Sequence, residues 1–261
     1  MKRGFPYAFG TAVVTASGAR ERQGVETMVR IAFDKELVLA GHFLLRHLSR
    51  DELRRLAATT TLANHARGET IFQKGDPGGS MMAVIRGRVK ICSHSLEGRE
   101  LVLNIIDRGG IFGEITLLDG EARTADAIAL EETDLLVLER ARFQPFLREN
   151  PDLALRLLAV VCKRLRETSA QLEDATFLET PSRLARCLLR LSKGFGKTVE
   201  DGTVLDIKLP QQQLGAYIGV SRESVNKQLA EWQRDGLIAV AAGVITLRDL
   251  RALEEIALAE A

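Results

Sequence analysis

The chain has 261 residues, 46% hydrophobic and 27% charged, with a net charge of +1. This is ordinary globular composition, and the length holds two domains with cores of their own. No apolar run approaches the roughly 20 residues of a membrane span, Val13-Val14 is too short for a signal peptide, and cytoplasmic residence is the expectation.

Residues 1–33 favour no period and read as a flexible tail, with Met28 an alternative start. From Lys35 to Ala58 the pattern is helical: Leu44, Leu45, Leu48, Leu53 and Leu56 recur at helical steps, and Ser49 and Asp51 supply caps for a helix over 51–59. Between Thr60 and Arg140 short apolar runs alternate with glycines. Strands are predicted at 81–85, 89–91, 101–103, 125–128 and 135–138, the spacing of a small antiparallel β-roll or jelly roll.

One stretch within this region, Phe112 to Ala125, carries chemistry. Gly113-Glu114 is followed nine residues later by Arg123-Thr124. A guanidinium can pair with a cyclic phosphate in fork geometry. An ionised Glu can accept from a ribose 2′-hydroxyl. Gly113 lets main chain approach closely, and a short helix starting near Ile115 would aim N–H groups at the phosphate. The other reading of these residues is a tight turn, with Glu114 capping a helix and Arg123 on a solvated edge.

Residues 151–178 read as one long helix with Pro151 in its first turn. Ala154, Leu158, Val161, Leu165, Thr168, Leu172 and Ala175 alternate by four and three, the seam of a two-helix coiled coil. A single amphipathic helix packed on its own domain is the competing reading. Pro181 ends the helix, Thr180 is placed as the cap of the next one, running to about Ser192, and the break is a candidate hinge. Residues 193–203 read as a loop and 204–209 as a strand.

From Gln211 to Leu229 the spacing is that of a helix-turn-helix. Leu214, Ile218, Val220, Val225 and Leu229 supply its core, Gly215 lets the helices approach, Gly219 takes the turn and Ser221 caps the second helix. Arg222, Glu223, Ser224 and Lys227 then fall on the exposed N-terminal face that would enter a major groove. Residues 235–245 read as a small β-wing. Near-neutral charge means that DNA contact must come from such a local patch. Cys92, Cys162 and Cys187 form no CxxC and read as buried thiols; His42, His47, His65 and His94 lack metal-ligand spacing.

The 112–125 stretch resembles the phosphate-binding cassette of cyclic-nucleotide-binding domains. Together with Ser221-Arg222-Glu223-Ser224-Val225, it makes residues from about 60 to 250 similar to the cyclic-AMP receptor protein/FNR-type regulator superfamily, in its cyclic-nucleotide-responsive branch. After the flexible tail (1–33), the resemblance implies an α+β chain of β-roll domain with flanking helices (34–150), dimerisation helix (151–178) and winged helix-turn-helix (179–261). It implies a ligand set of Gly113, Glu114, Ile115, Arg123, Thr124 and Ala125, with Thr168 and Ser169 meeting adenine. It implies a DNA set of Gln211, Ser221, Arg222, Glu223, Ser224 and Lys227.

Lys227 stands where the best-known member has Arg, which weakens bidentate base reading there, and Gln228 takes a position that is usually apolar. The implied partners are double-stranded DNA, a cyclic nucleotide and a second copy of the chain, with RNA polymerase a further candidate and no membrane. Cyclic AMP is the expected allosteric ligand, and Thr124 opens a route to cyclic GMP. No cofactor, metal or catalytic residue is expected. Two alternatives remain: a redox or gas sensor, which has little use for Glu114 and Arg123 and would need clustered thiolates for an iron–sulfur centre, and a ligand-independent dimer with a vestigial pocket.

Overall fold

The computed structural model describes residues 35–45 and 47–259; the tail expected over 1–33 lies outside them. Helices α1 (Lys35–Gly41) and α2 (Arg50–Thr59) open the fold. Ser49 Oγ accepts from the Glu52 N–H at 3.3 Å, and the Glu52 carboxylate accepts from the Ser49 N–H at 2.7 Å. This capping box satisfies two N–H groups that a helix start leaves free. Asp51, expected to share the capping, lies in the first turn, where its charge suits the helix dipole.

Eight strands follow: β1 (Thr60–His65), β2 (Thr70–Phe72), β3 (Ser80–Arg86), β4 (Val89–His94), β5 (Glu100–Ile106), β6 (Ile111–Phe112), β7 (Asp126–Ala129) and β8 (Thr133–Glu139). They pair antiparallel in two sheets, ordered β1-β8-β3-β6 and β2-β7-β4-β5. Helix α3 (Glu114–Asp119) interrupts the strands between β6 and β7. The unbroken apolar run at 81–85 has a physical reason. Met81, Ala83 and Ile85 pack with Leu39, Leu53, Phe143 and Leu157 on one face of the sheet. Met82 and Val84 turn the other way, toward Val89, Phe112 and Ala127 between the sheets. A strand buried on both faces loses the alternating pattern.

Helices α4 (Arg140–Glu149), α5 (Pro151–Phe177) and α6 (Thr180–Phe195) come next. On α5, Leu153 and Leu157 are buried against the β-roll domain. The stripe of Leu158, Leu165 and Leu172 is 53%, 67% and 69% exposed on a single chain. The helix therefore packs on its own domain through one face and leaves the leucine stripe of the expected seam uncovered on another. The break that follows is not capped by Thr180. Leu178 is extended at φ −109°, ψ 150°, Glu179 is the N-cap, and Thr180 is the first helical residue. Pro181 sits in the first turn, where its missing N–H costs nothing.

The remaining chain holds β9 (Gly196–Val199), β10 (Gly202–Leu205), α7 (Gln211–Ile218), α8 (Arg222–Arg234), β11 (Ile238–Ala241), β12 (Val244–Leu247) and α9 (Leu250–Leu258), with one sheet ordered β11-β12-β10-β9. The loop expected over 193–203 is thus the end of α6 and a hairpin turning at Glu200-Asp201. The strand expected over 204–209 ends at Leu205; Ile207 and Leu209 stay buried as irregular chain in the C-terminal core. Val102 and Ile105 of β5 join that same core, beside Leu214 and Ile218 of α7. Among the described residues, no helix is long and apolar enough to cross a membrane.

Candidate ligand pocket and nucleic-acid interface

The cassette is built on a glycine. Gly113 closes β6 and starts α3 at φ 76°, and a Cβ there would stand 2.5 Å from Arg123 Nη1 and 3.1 Å from the Ser80 carbonyl oxygen. Only glycine meets both demands at low cost. The space so freed lets Arg123, 5% exposed, cross beneath α3. Its Nη1 donates to the Ser80 carbonyl at 2.8 Å, to Thr116 Oγ1 at 2.8 Å and to the Gly113 carbonyl at 3.3 Å, and its Nη2 donates to Ser80 Oγ at 3.0 Å. Its guanidinium carbon lies 4.1 Å from the centre of the Phe72 ring, a cation–π contact. Among the described residues the buried Nε has no partner. Burial holds the Arg123 pKa below the usual guanidinium value, against the opposing pull of Asp76 and Glu114; it stays charged at neutral pH. The solvated-edge reading of Arg123 is thereby excluded.

Glu114, the first residue of α3, is 1% exposed. Arg164 of α5 places Nη1 2.5 Å from Glu114 Oε2 and its Nη2 donates to the Ile111 carbonyl. Among the described residues neither Glu114 oxygen has a hydrogen-bond donor. Thr124 and Ile115 are exposed, and Ala125 is buried just before β7. Thr168 and Ser169 are exposed on α5, with Thr168 one turn beyond Arg164, about 6 Å along the axis.

In the second candidate site, Gly219 turns the chain between α7 and α8 at φ 72°. Leu214, Ile218, Val225 and Leu229 are buried and Val220 half-buried. Gly215 is required: a Cβ would stand 2.7 Å from the Val220 carbonyl oxygen. Ser221 caps α8, its Oγ accepting from the Ser224 N–H at 3.2 Å. Arg222, Glu223 and Lys227 are exposed together on the first turns of α8. Ser224 is half-buried, its hydroxyl 3.1 Å from Ser221 Oγ, so it is less available than expected. Gln211, half-buried, begins α7. Gln228 is tolerated because it is only half-buried and its Nε2 donates to Glu231 at 3.3 Å. The Glu223 carboxyl lies below its usual range, held by its own backbone N–H and by Ser221.

Family comparisons agree with this geometry. A cyclic nucleotide-binding domain matches residues 63–150, and a Crp-like helix-turn-helix domain matches residues 182–256. The chain is 33% identical over 185 residues to the CRP-like cAMP-activated global transcriptional regulator of Mycobacterium tuberculosis, covering 70% of this chain and 82% of that one. The chain belongs to the CRP/FNR family of transcription regulators. It is also 34% identical over 194 residues to the cyclic AMP receptor protein of Thermus thermophilus, covering 74% and 86%. A CRP/FNR-family regulator structure from the same organism superposes with a TM-score of 0.64 at 29% identity, over 77% of this chain and all of that one. The chain is a DNA-binding regulator with a cyclic nucleotide-binding domain, not an enzyme.

Sequence reasoning missed four residues that build the pocket: Phe72, Ser80, Thr116 and Arg164. The first three lie in short or apolar segments with no charge to mark them. Arg164 is one of several basic residues on α5, and only the packing of α5 against α3 singles it out. It also missed Asp174, which is 4% exposed and ion-paired to Arg186 at 2.7 Å and Arg190 at 2.6 Å. Cys92 and Cys187 are buried free thiols, as expected, whereas Cys162 is half-buried; burial pushes the first two up to about 12.

Proposed function

We propose that the chain acts as a cytoplasmic homodimer that binds a pseudo-palindromic duplex when a cyclic nucleotide, cyclic AMP first and cyclic GMP second, occupies the β-roll. The observation that carries this reading is Arg123: a buried guanidinium whose hydrogen bonds among the described residues go to neutral acceptors, with its Nε–H unsatisfied there. A buried cation of this kind favours an anion of matching geometry, and a cyclic phosphate is one. Glu114, lacking a hydrogen-bond donor among the described residues, suits the ribose 2′-hydroxyl.

The cAMP-activated relative from M. tuberculosis and the T. thermophilus receptor support adenine as the base. In this reading Thr168 and Ser169 of the two protomers meet that base, and Thr124 allows guanine to bind by other contacts. The exposed seam of Leu158, Leu165 and Leu172 joins two copies. Their α8 helices would then present Arg222, Glu223 and Lys227 about 34 Å apart, one DNA turn.

Ligand binding shifts the chain toward the DNA-competent state only through its differential affinity for that state. The break at Leu178-Glu179 is where the DNA-binding part reorients. Calorimetry with cyclic AMP and cyclic GMP tests the pocket. The reading expects cyclic AMP to bind with one site per chain, and absence of heat and of thermal stabilisation with either nucleotide would overturn it.

A further inference from the structure

The outer face of the β2-β7-β4-β5 sheet gathers metal-ligand side chains from three strands. Along β4, Cys92 and His94 are two residues apart and so project from the same face. His94 pairs across the ladder with Glu100 of β5, and Cys92 pairs with Asp126 of β7. Cross-strand pairs of this kind bring side chains into contact. The ligand atoms of Cys92, His94 and Glu100 all lie within 4.8 Å of one another. Sequence spacing gave no sign of this, because the donors come from separate strands.

We propose that Cys92, His94 and Glu100 form a binding site for one borderline-soft divalent cation of the zinc class, with Asp126 orienting the histidine. Three features carry it. First, the donor set of one sulfur, one imidazole nitrogen and one carboxylate oxygen is that of zinc and its first-row neighbours, and is foreign to magnesium or calcium. Second, the ring is already oriented. His94 Nδ1 lies 2.8 Å from Asp126 Oδ2, leaving Nε2 facing Glu100 Oε1 at 3.7 Å. A carboxylate on the far ring nitrogen is the usual support of a metal-bound histidine. Zinc bond lengths of about 2.0–2.3 Å set tetrahedral ligands roughly 3.3–3.6 Å apart, so the 3.7 Å gap is near coordination spacing.

Third, charge balances. Lys90 Nζ is ion-paired to Glu100, and one ammonium plus a divalent cation match a Cys92 thiolate with the Glu100 and Asp126 carboxylates. Cys92 itself is fully buried, while the His94 side chain is 41% exposed and gives an entry path. The site adjoins Val102, the β5 partner of Cys92, which packs in the core that also holds α7.

The test uses the full, tag-free chain, reduced and stripped with chelator, titrated with cobalt(II) and then zinc(II). The expected result is one cobalt per chain with a thiolate-to-cobalt charge-transfer band that zinc bleaches. Cys92→Ser removes the band, Cys162→Ser keeps it, and Asp126→Asn weakens the affinity about 10–100-fold. His94→Ala weakens it at least as much, and because His94 is partly exposed this variant decides the matter if Cys92→Ser does not fold. Absence of the band in the wild type, its persistence in Cys92→Ser, or unchanged affinity in His94→Ala would overturn the site.

Discussion

Arg164 of α5 and Glu114 of α3 form an ion pair of 2.5 Å that ties the long helix to the pocket. Glu114 is buried whereas the Arg164 side chain is 24% exposed, so the carboxylate depends on this partner more than the reverse. Arg164→Ala removes the ion-pair partner of a buried carboxylate and leaves it the charge of Arg123 alone, which already engages Glu114 through space. Allowing for solvent at the arginine, the expected decrease is roughly 2–3 kcal/mol of unfolding free energy. Urea denaturation of the nucleotide-free chain measures it; an unchanged midpoint and slope would show that water already serves Glu114.

Arg123→Leu removes the proposed phosphate partner while keeping the apolar packing against Phe72. Taking a charge-assisted hydrogen bond out of a buried site costs about 3 kcal/mol, roughly a hundredfold in affinity. Titration of cyclic AMP into the variant reads this directly. Affinity within about threefold of wild type, under 1 kcal/mol, would remove Arg123 from the ligand set.

Arg222→Ala is expected to lower affinity for the cognate duplex by about 1–3 kcal/mol and to relax preference at one position of each half-site. Competition between a cognate duplex and one altered in a half-site is the readout. Full discrimination retained by the variant would mean that α8 does not read bases through this residue.

Asp174 holds Arg186 and Arg190 of α6 to the end of α5, and Arg186 Nε also donates to the Ala257 carbonyl of α9 at 2.8 Å. Asp174→Ala leaves two half-buried cations without their anion. The expected cost is roughly 2–4 kcal/mol once their partial exposure is allowed for, seen as a lower melting temperature. The same variant should loosen the junction at Leu178-Glu179, measurable as faster amide exchange there.

His42 is 7% exposed, and burial lowers its pKa from 6.5 to about 4. The folded state therefore keeps it neutral where the unfolded chain binds a proton, and stability falls as pH drops from about 6.5 toward 4. At about 1.36 kcal/mol per pH unit, this group contributes roughly 2–3 kcal/mol of acid destabilisation by about pH 4.5. Denaturation of wild type and His42→Gln from about pH 7 to about pH 4.5 isolates it; parallel curves would contradict the assignment.

Much of the architecture was legible because the period of the apolar residues changes along the chain. The change from three-and-four spacing to short runs at Thr60 marks where the β-roll begins, and the return at Pro151 marks α5. Strands that are short or lack an apolar period were not legible. β2 and β6 hold three and two residues, too few to show a period, and β1 alternates exposed polar residues such as Thr61 with half-buried ones such as Ala63. The hairpin of β9 and β10 was missed although Asp201-Gly202 is a turn signal.

In the pocket, the charged residues were visible and their supports were not. Glu114 and Arg123 stand out by spacing, whereas Ser80 and Thr116 become hydrogen-bond partners only once β3 and α3 pack together. The placement of Thr180 as a cap failed because Glu179 took that position one residue earlier.

In the proposed function, nucleotide in the β-roll controls the affinity of α8 for DNA. The most direct measurement selects a duplex from a random pool in the presence of cyclic AMP, then compares its affinity for the chain with and without cyclic AMP, with cyclic GMP, and in Ser169→Ala. The expected result is an inverted repeat, an affinity raised roughly tenfold or more by cyclic AMP, a smaller effect of cyclic GMP, and a reduced response in Ser169→Ala. An affinity for the selected duplex that is the same with and without cyclic AMP would contradict it.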